Sequence, residues 1–171
     1  MIRWIRIWLA VFIFGLAVSG ITAFPLESEL RWLVDLLRTG SLHGFVDAIH
    51  LLHWLERVEN AVADTNARYP FLAYGTDWLA FAHLVIAVAF VGPFIDPVRN
   101  KWVIQFGLIA CAGVIPLALI AGAVRGIPLP WRLIDCSFGV FGAMPLWICM
   151  RAVRRLEPVS SVTNSPEKAR G

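Results

Sequence analysis

The stretch LPWRLIDCSFG, Leu129 to Gly139, carries an arginine and an aspartate inside an otherwise apolar part of the chain. Arg132 and Asp135 are three residues apart, so on a helix they share one side and can pair. His83 is the only ionisable group in another apolar run, Trp78 to Ile95, and lies ~7–8 Å along a helix from Trp78. Arg125 precedes Arg132 across the short loop Gly126-Ile127-Pro128-Leu129-Pro130, and Asp77 adjoins the start of the His83 run. Together these residues suggest one chemistry. His83 would act as acid or base, Asp135 would orient it, and Arg125, Arg132 and Asp77 would hold a charged ligand such as a phosphate or carboxylate. The bland alternative is a staple: Arg132 neutralises Asp135 at a helix end, and His83 bonds a carbonyl.

A second cluster is His43, Asp47 and His50, at i, i+4 and i+7 of a possible helix. Two histidines and an aspartate can bind zinc, but Gly44 follows His43, His53 points away, and no HExxH signature is present. Flank residues of an amphipathic helix are the simpler reading, and no metal is assigned. Only His83 lies in an apolar run, so a haem held by two histidines is disfavoured. A quinone would find His, Asp and aromatics here, but so would many ligands. The cofactor is left unknown, and no motif identifies a reaction.

The elements that would position these groups are set by composition. Of 171 residues, 58% are hydrophobic and 16% charged, with mean hydropathy +0.70. Soluble domains are nearer half apolar and a quarter charged, so the excess calls for lipid as a partner. Cys111, Cys136 and Cys149 are far apart, odd in number and form no CxxC pair, which argues against a disulfide framework. The net charge of +3 reflects basic residues that favour one membrane side, and no nucleic-acid partner is implied.

Charges delimit four spans: Ile7 to Leu26, Trp78 to Ile95, Trp102 to Val124, and a fourth that reaches Met150. Each must cross about 30 Å at about 1.5 Å per residue. From Cys136 the fourth is too short, so it must begin near Leu133 and draw Asp135 into its first turn. The fold class is therefore an all-α integral membrane protein, a four-helix transmembrane bundle with a mostly helical outer segment between spans 1 and 2. Residues 1–24 form the first span, 25–77 the extracytoplasmic amphipathic segment, 78–151 the other three spans, and 152–171 a disordered cytoplasmic tail. Arg3 and Arg6 before an apolar run, with small residues at Val18-Ser19-Gly20 or Ile21-Thr22-Ala23, also read as a signal peptide.

With the N-terminus inside, the inner segments hold Arg3, Arg6, Arg99, Lys101, Arg151, Arg154, Arg155, Lys168 and Arg170 against Asp96, Glu157 and Glu167. The outer segments are acidic on balance. This favours both termini on the cytoplasmic side of an inner (plasma) membrane. Trp4, Trp8, Trp102 and Trp147 would form the inner aromatic belt, Trp78 and Trp131 the outer one.

In the outer segment, Glu27 to Arg38 reads as one amphipathic helix and Phe45 to Asp64 as a second, with Arg57 and Asn60 opposite its apolar face. Asn66 to Gly75 should return extended, and Thr76 or Asp77 should cap the second span. Asp96 and Arg99 suit a turn, and Pro116 and Pro145 should kink their helices or free carbonyls. Ala118, Gly122 and Gly126 make a small-residue row suited to packing or self-association. A non-catalytic bundle (complex subunit, assembly factor or sensor) that meets a membrane partner or a second copy ranks first. A membrane-embedded enzyme or a protein binding lipid or an anionic ligand is the alternative. A small oligomeric transporter ranks third, because no ionisable group sits near mid-span.

Overall fold

The computed structural model describes the backbone of residues 1–163 and the side chains of residues 1–156. Among the described residues every regular element is helical. The chain runs through α1 (Ile2–Ala23), α2 (Leu26–Thr39), α3 (His43–Ala48), α4 (Leu51–Arg68), a 3₁₀ turn (Pro70–Leu72), α5 (Ala73–Ala89) and α6 (Val91–Ile95). It continues through α7 (Lys101–Pro116), a π turn (Leu117–Ala121), α8 (Gly122–Val124) and α9 (Leu129–Thr163). Four helical stretches are long and apolar enough to cross a membrane: Ile2–Ala23, Pro70–Ile95, Lys101–Val124 and Leu129–Leu156. The α2–α4 segment forms a cap at one end of the bundle; the N-terminus, the 96–100 turn and the end of α9 share the other.

The first and fourth long helices are the inner two. The first packs against α5 on one side and α9 on another, while α9 also packs along α7. Ile5 and Leu9 are fully buried with Phe90, Ile104, Leu146 and Cys149, so the core of the bundle draws on all four long helices. Close approach depends on absent side chains. A Cβ at Gly20 would stand 2.9 Å from the Ala80 carbonyl oxygen, and one at Gly139 would stand 2.6 Å from that of Cys111. At the terminal end, Arg6 donates to the carbonyls of Phe94 (3.2 Å) and Ile95 (3.3 Å) and so closes the last turn of α6. Asp96 accepts from the Arg99 backbone N–H at 3.0 Å, the turn chemistry its spacing implied.

Several sequence expectations change. The fourth long helix needs no late start, since α9 begins at Leu129 with Pro130 in its first turn, where a proline costs no hydrogen bond. It also continues past Arg151 to Thr163, so the stretch expected as a disordered tail begins as helix; residues 164–171 lie outside the described residues. Pro145 leaves α9 unbroken, whereas Pro116 is followed at once by the π turn. A proline lacks the N–H that would reach the carbonyl one turn back, here that of Ala112, and the wide turn follows it directly. The stretch expected to return extended is instead helical, apart from the kink at Tyr69.

The cap has its own core. Leu30 and Val34 of α2 bury against Val46, Leu51, Leu52 and Leu55. Arg38 of α2 donates to one Glu56 oxygen of α4 from Nε (3.0 Å) and Nη2 (2.9 Å). Those bonds and the carboxylate charge raise the Arg38 pKa. Trp131 and Ile134 at the start of α9 pack against this cap core, so Trp131 bridges the bundle and the cap.

The Gly20 contact gives a direct test. Gly20→Leu should cost about 1–3 kcal/mol of stability in detergent through overpacking. Gly15, with nothing within 4 Å of a Cβ, should accept the same change within about 0.5 kcal/mol. Thermal unfolding of both variants checks the contrast, and equal melting shifts would contradict it.

Candidate functional site

The residues singled out in the sequence separate into two places. His83 and Asp135 point inward on different helices. On α5, Thr76, His83 and Phe90 recur every seven residues, and Phe90 is fully buried. On α9, Asp135, Gly142 and Cys149 recur likewise. A Cβ at Gly142 would meet Cys111 Sγ at 3.0 Å, and Cys149 Sγ lies 3.5 Å from the Ile5 carbonyl oxygen. Both polar residues are half-buried. No hydrogen bond joins them, however. His83 Nδ1 lies 2.8 Å from the Leu79 carbonyl oxygen one turn back in its own helix. A carbonyl only accepts, so Nδ1 carries the proton and is committed.

Arg132 does not pair with Asp135. Its Nη1 donates to the Leu119 carbonyl oxygen in the π turn at 3.2 Å. Its stem lies over Gly122, where a Cβ would come within 2.6 Å of Cδ. Its buried Nε finds no partner among the described residues. The staple expected between Arg132 and Asp135 is therefore replaced by a link between the third and fourth long helices. Two of the three residues in the Ala118-Gly122-Gly126 row have local tasks: Gly122 admits Arg132, and Gly126 turns the chain at φ +70°.

The histidine–aspartate cluster in the cap does not form. His50 takes a left-handed conformation (φ 56°), ends the helical register between α3 and α4, and separates His50 from His43 and Asp47. All three side chains are exposed. Among the described residues no group of three His, Cys, Asp or Glu is placed to hold a metal ion.

The second place is a cavity of about 660 Å³ under the cap. Asp77 and Arg125 both line it, and His83, Arg132 and Asp135 do not. It lies where α1 and α8 end and α5 begins, with α4 forming another wall. Its apolar wall includes Phe24, Leu26, Trp54, Val58 and Val62, and its charged groups are Glu27, Arg57, Asp77 and Arg125. Glu27 is committed: it pairs with Arg31 at 3.0 Å and accepts from Asn66 Nδ2 at 2.9 Å. Arg57, Asp77 and Arg125 form no ion pair or side-chain hydrogen bond among the described residues. Asp77 is free for this role because α5 starts earlier than expected, at Ala73, with no side chain capping it.

Arg57 was readable only as the polar side of an amphipathic helix. Nothing in the local periodicity of α4 shows that its Trp54, Val58 and Ala61 flank, with Arg57 beside it, faces the ends of three long helices. Compared with known proteins, the chain matches no family model, no curated protein and no solved structure.

Because Asp135 has no cationic partner among the described residues, removing its charge should cost nothing. Asp135→Asn should leave the melting temperature unchanged or raised, with any gain below the ~2.5–3.5 kcal/mol of a carboxylate at mid-membrane. A loss of stability comparable to that of Arg132→Gln would show that the two residues pair after all.

Proposed function

We propose that this is a multi-pass membrane protein and a non-catalytic bundle, which presents the cap and its cavity to an anionic ligand, lipid or partner. The single observation that carries this reading is the cavity, whose lining includes the exposed Arg57 and Arg125 and the half-buried Asp77, none of them in an ion pair among the described residues. The acid–base pair that an enzyme reading needs is not bonded: His83 is turned to its own helix, and Asp135 stands apart. Unpaired cations beside an apolar wall favour binding.

The topology in this proposal has both termini in the cytoplasm of a cell with an inner (plasma) membrane, and the cap on the far side. The basic residues gathered at the terminal end support it. Trp4 and Trp102, each about two-thirds exposed there, suit a headgroup layer, as does Trp147 beneath the Arg151 guanidinium at 3.7 Å. The first helix is a retained span in this reading, since Ile5 and Leu9 complete the core.

Two measurements test the proposal. A membrane-impermeant maleimide should label Ser41→Cys in intact cells and Arg3→Cys only after permeabilisation; the reverse pattern would overturn the orientation. Gentle purification from native membranes followed by native mass spectrometry should find a small molecule or partner that Arg125→Gln releases. Chemical turnover of a co-purified molecule that His83→Ala abolishes would establish the enzyme reading instead.

A further inference from the structure

We infer that the cavity takes the headgroup of a phosphate-bearing amphiphile, with Arg57 and Arg125 on the phosphate and Asp77 facing an ammonium group. The inference rests on the binding function proposed above and names its ligand class.

Charge decides the sign of the ligand. With Glu27 held by Arg31 and Asn66, the uncommitted groups are two guanidinium ions and one carboxylate. An anion satisfies the excess. The guanidinium fork matches the two free oxygens of a phosphodiester or of a carboxylate and not a halide, and the level of the cavity at the helix ends points to the phosphate. The wall decides the rest. Phe24, Leu26, Trp54 and Val58 line the same cavity, and an apolar face beside two cations suits a headgroup that carries a chain. The size, about 660 Å³, is in the range of small-ligand sites, roughly 300–1,000 Å³.

Position agrees with charge. The cavity is bounded by the last residues of the first long helix, the early residues of the second and the end of the third. In a spanning bundle that is the headgroup level. Asp77 is the one remaining free charge. It repels a headgroup that is only anionic and attracts one that also carries a primary ammonium, so phosphatidylethanolamine should bind better than phosphatidylglycerol.

The full chain, purified in mild detergent and offered defined lipids, tests this by native mass spectrometry. Phosphatidylethanolamine should be retained over phosphatidylglycerol by severalfold, and both over diacylglycerol, which has the chains but no phosphate. Arg57→Gln and Arg125→Gln should each lower retention about tenfold, the scale of one charge-assisted hydrogen bond. Arg57→Lys and Arg125→Lys should lose less. Asp77→Asn should abolish the preference between the two phospholipids while both still bind. Helicity and melting temperature of each variant separate lost binding from lost fold.

Millimolar inorganic phosphate is the second arm. If it protects the lipid-free chain from heating as well as phospholipid does, the ligand is a soluble phosphate compound and the amphiphile is overturned. Equal retention of diacylglycerol overturns the phosphate while the binding function stands; wild-type retention by both glutamine variants overturns the assignment of the lipid to this cavity. If the cavity variants and the wild type alike retain nothing, the binding function falls with it.

Discussion

The close packing of the first helix against two others is the constraint on which the rest of the structure depends. Ile5 and Leu9 are buried in a core that includes Phe90 from the second long helix, Ile104 from the third and Leu146 from the fourth. Gly20 lets the first helix meet the Ala80 backbone near its other end. With α1 between them, α5 and α9 both approach it, and His83 and Asp135 are left without a bond to each other. The fourth helix is held separately, by Gly139 against the Cys111 carbonyl and by Arg132 reaching the π turn. Pro116 thus has a structural consequence: it precedes the wide turn whose Leu119 carbonyl receives Arg132.

The cap is tied down by different physics. Leucine and valine burial joins α2 to α4, and Trp131 and Ile134 of α9 extend that small core into the bundle. The polar links, Arg38 to Glu56 and Asn66 to Glu27, are at the periphery and set the pairing of the helices more than its strength. This arrangement leaves a flank of α4 that carries Trp54, Arg57 and Val58 beside the bundle ends. Arg57 is therefore placed in one cavity with Arg125, which lies 68 residues on in the chain and on a different element.

Much of the helical framework was legible in the sequence because charges bracket the apolar runs. Those runs correspond to helices long and apolar enough to span a membrane. The first cap helix was equally clear, since Leu30 and Val34 repeat at helical spacing. The site was only half legible. Spacing showed that Arg132 could reach Asp135 but not that a carbonyl on another helix competes for it. Periodicity showed which side of α4 is apolar but not that part of it, with Arg57 at its margin, lines a cavity. The break at His50 is a single left-handed residue between two segments of the same apolar pattern, and a pattern of faces cannot register it. Trp131 had the composition of an interfacial anchor, and only the packing of the cap shows that its neighbour is protein.

The central claim is that Arg57 of the cap and Arg125 of the bundle act on one ligand in one cavity. A double-mutant cycle on phospholipid retention measures this directly, using Arg57→Gln, Arg125→Gln and the double variant. Groups that share a ligand should couple by at least about 0.5 kcal/mol, so that the double variant loses less than the two single losses combined. Losses that add within about 0.3 kcal/mol would place the two arginines at independent sites and contradict the account.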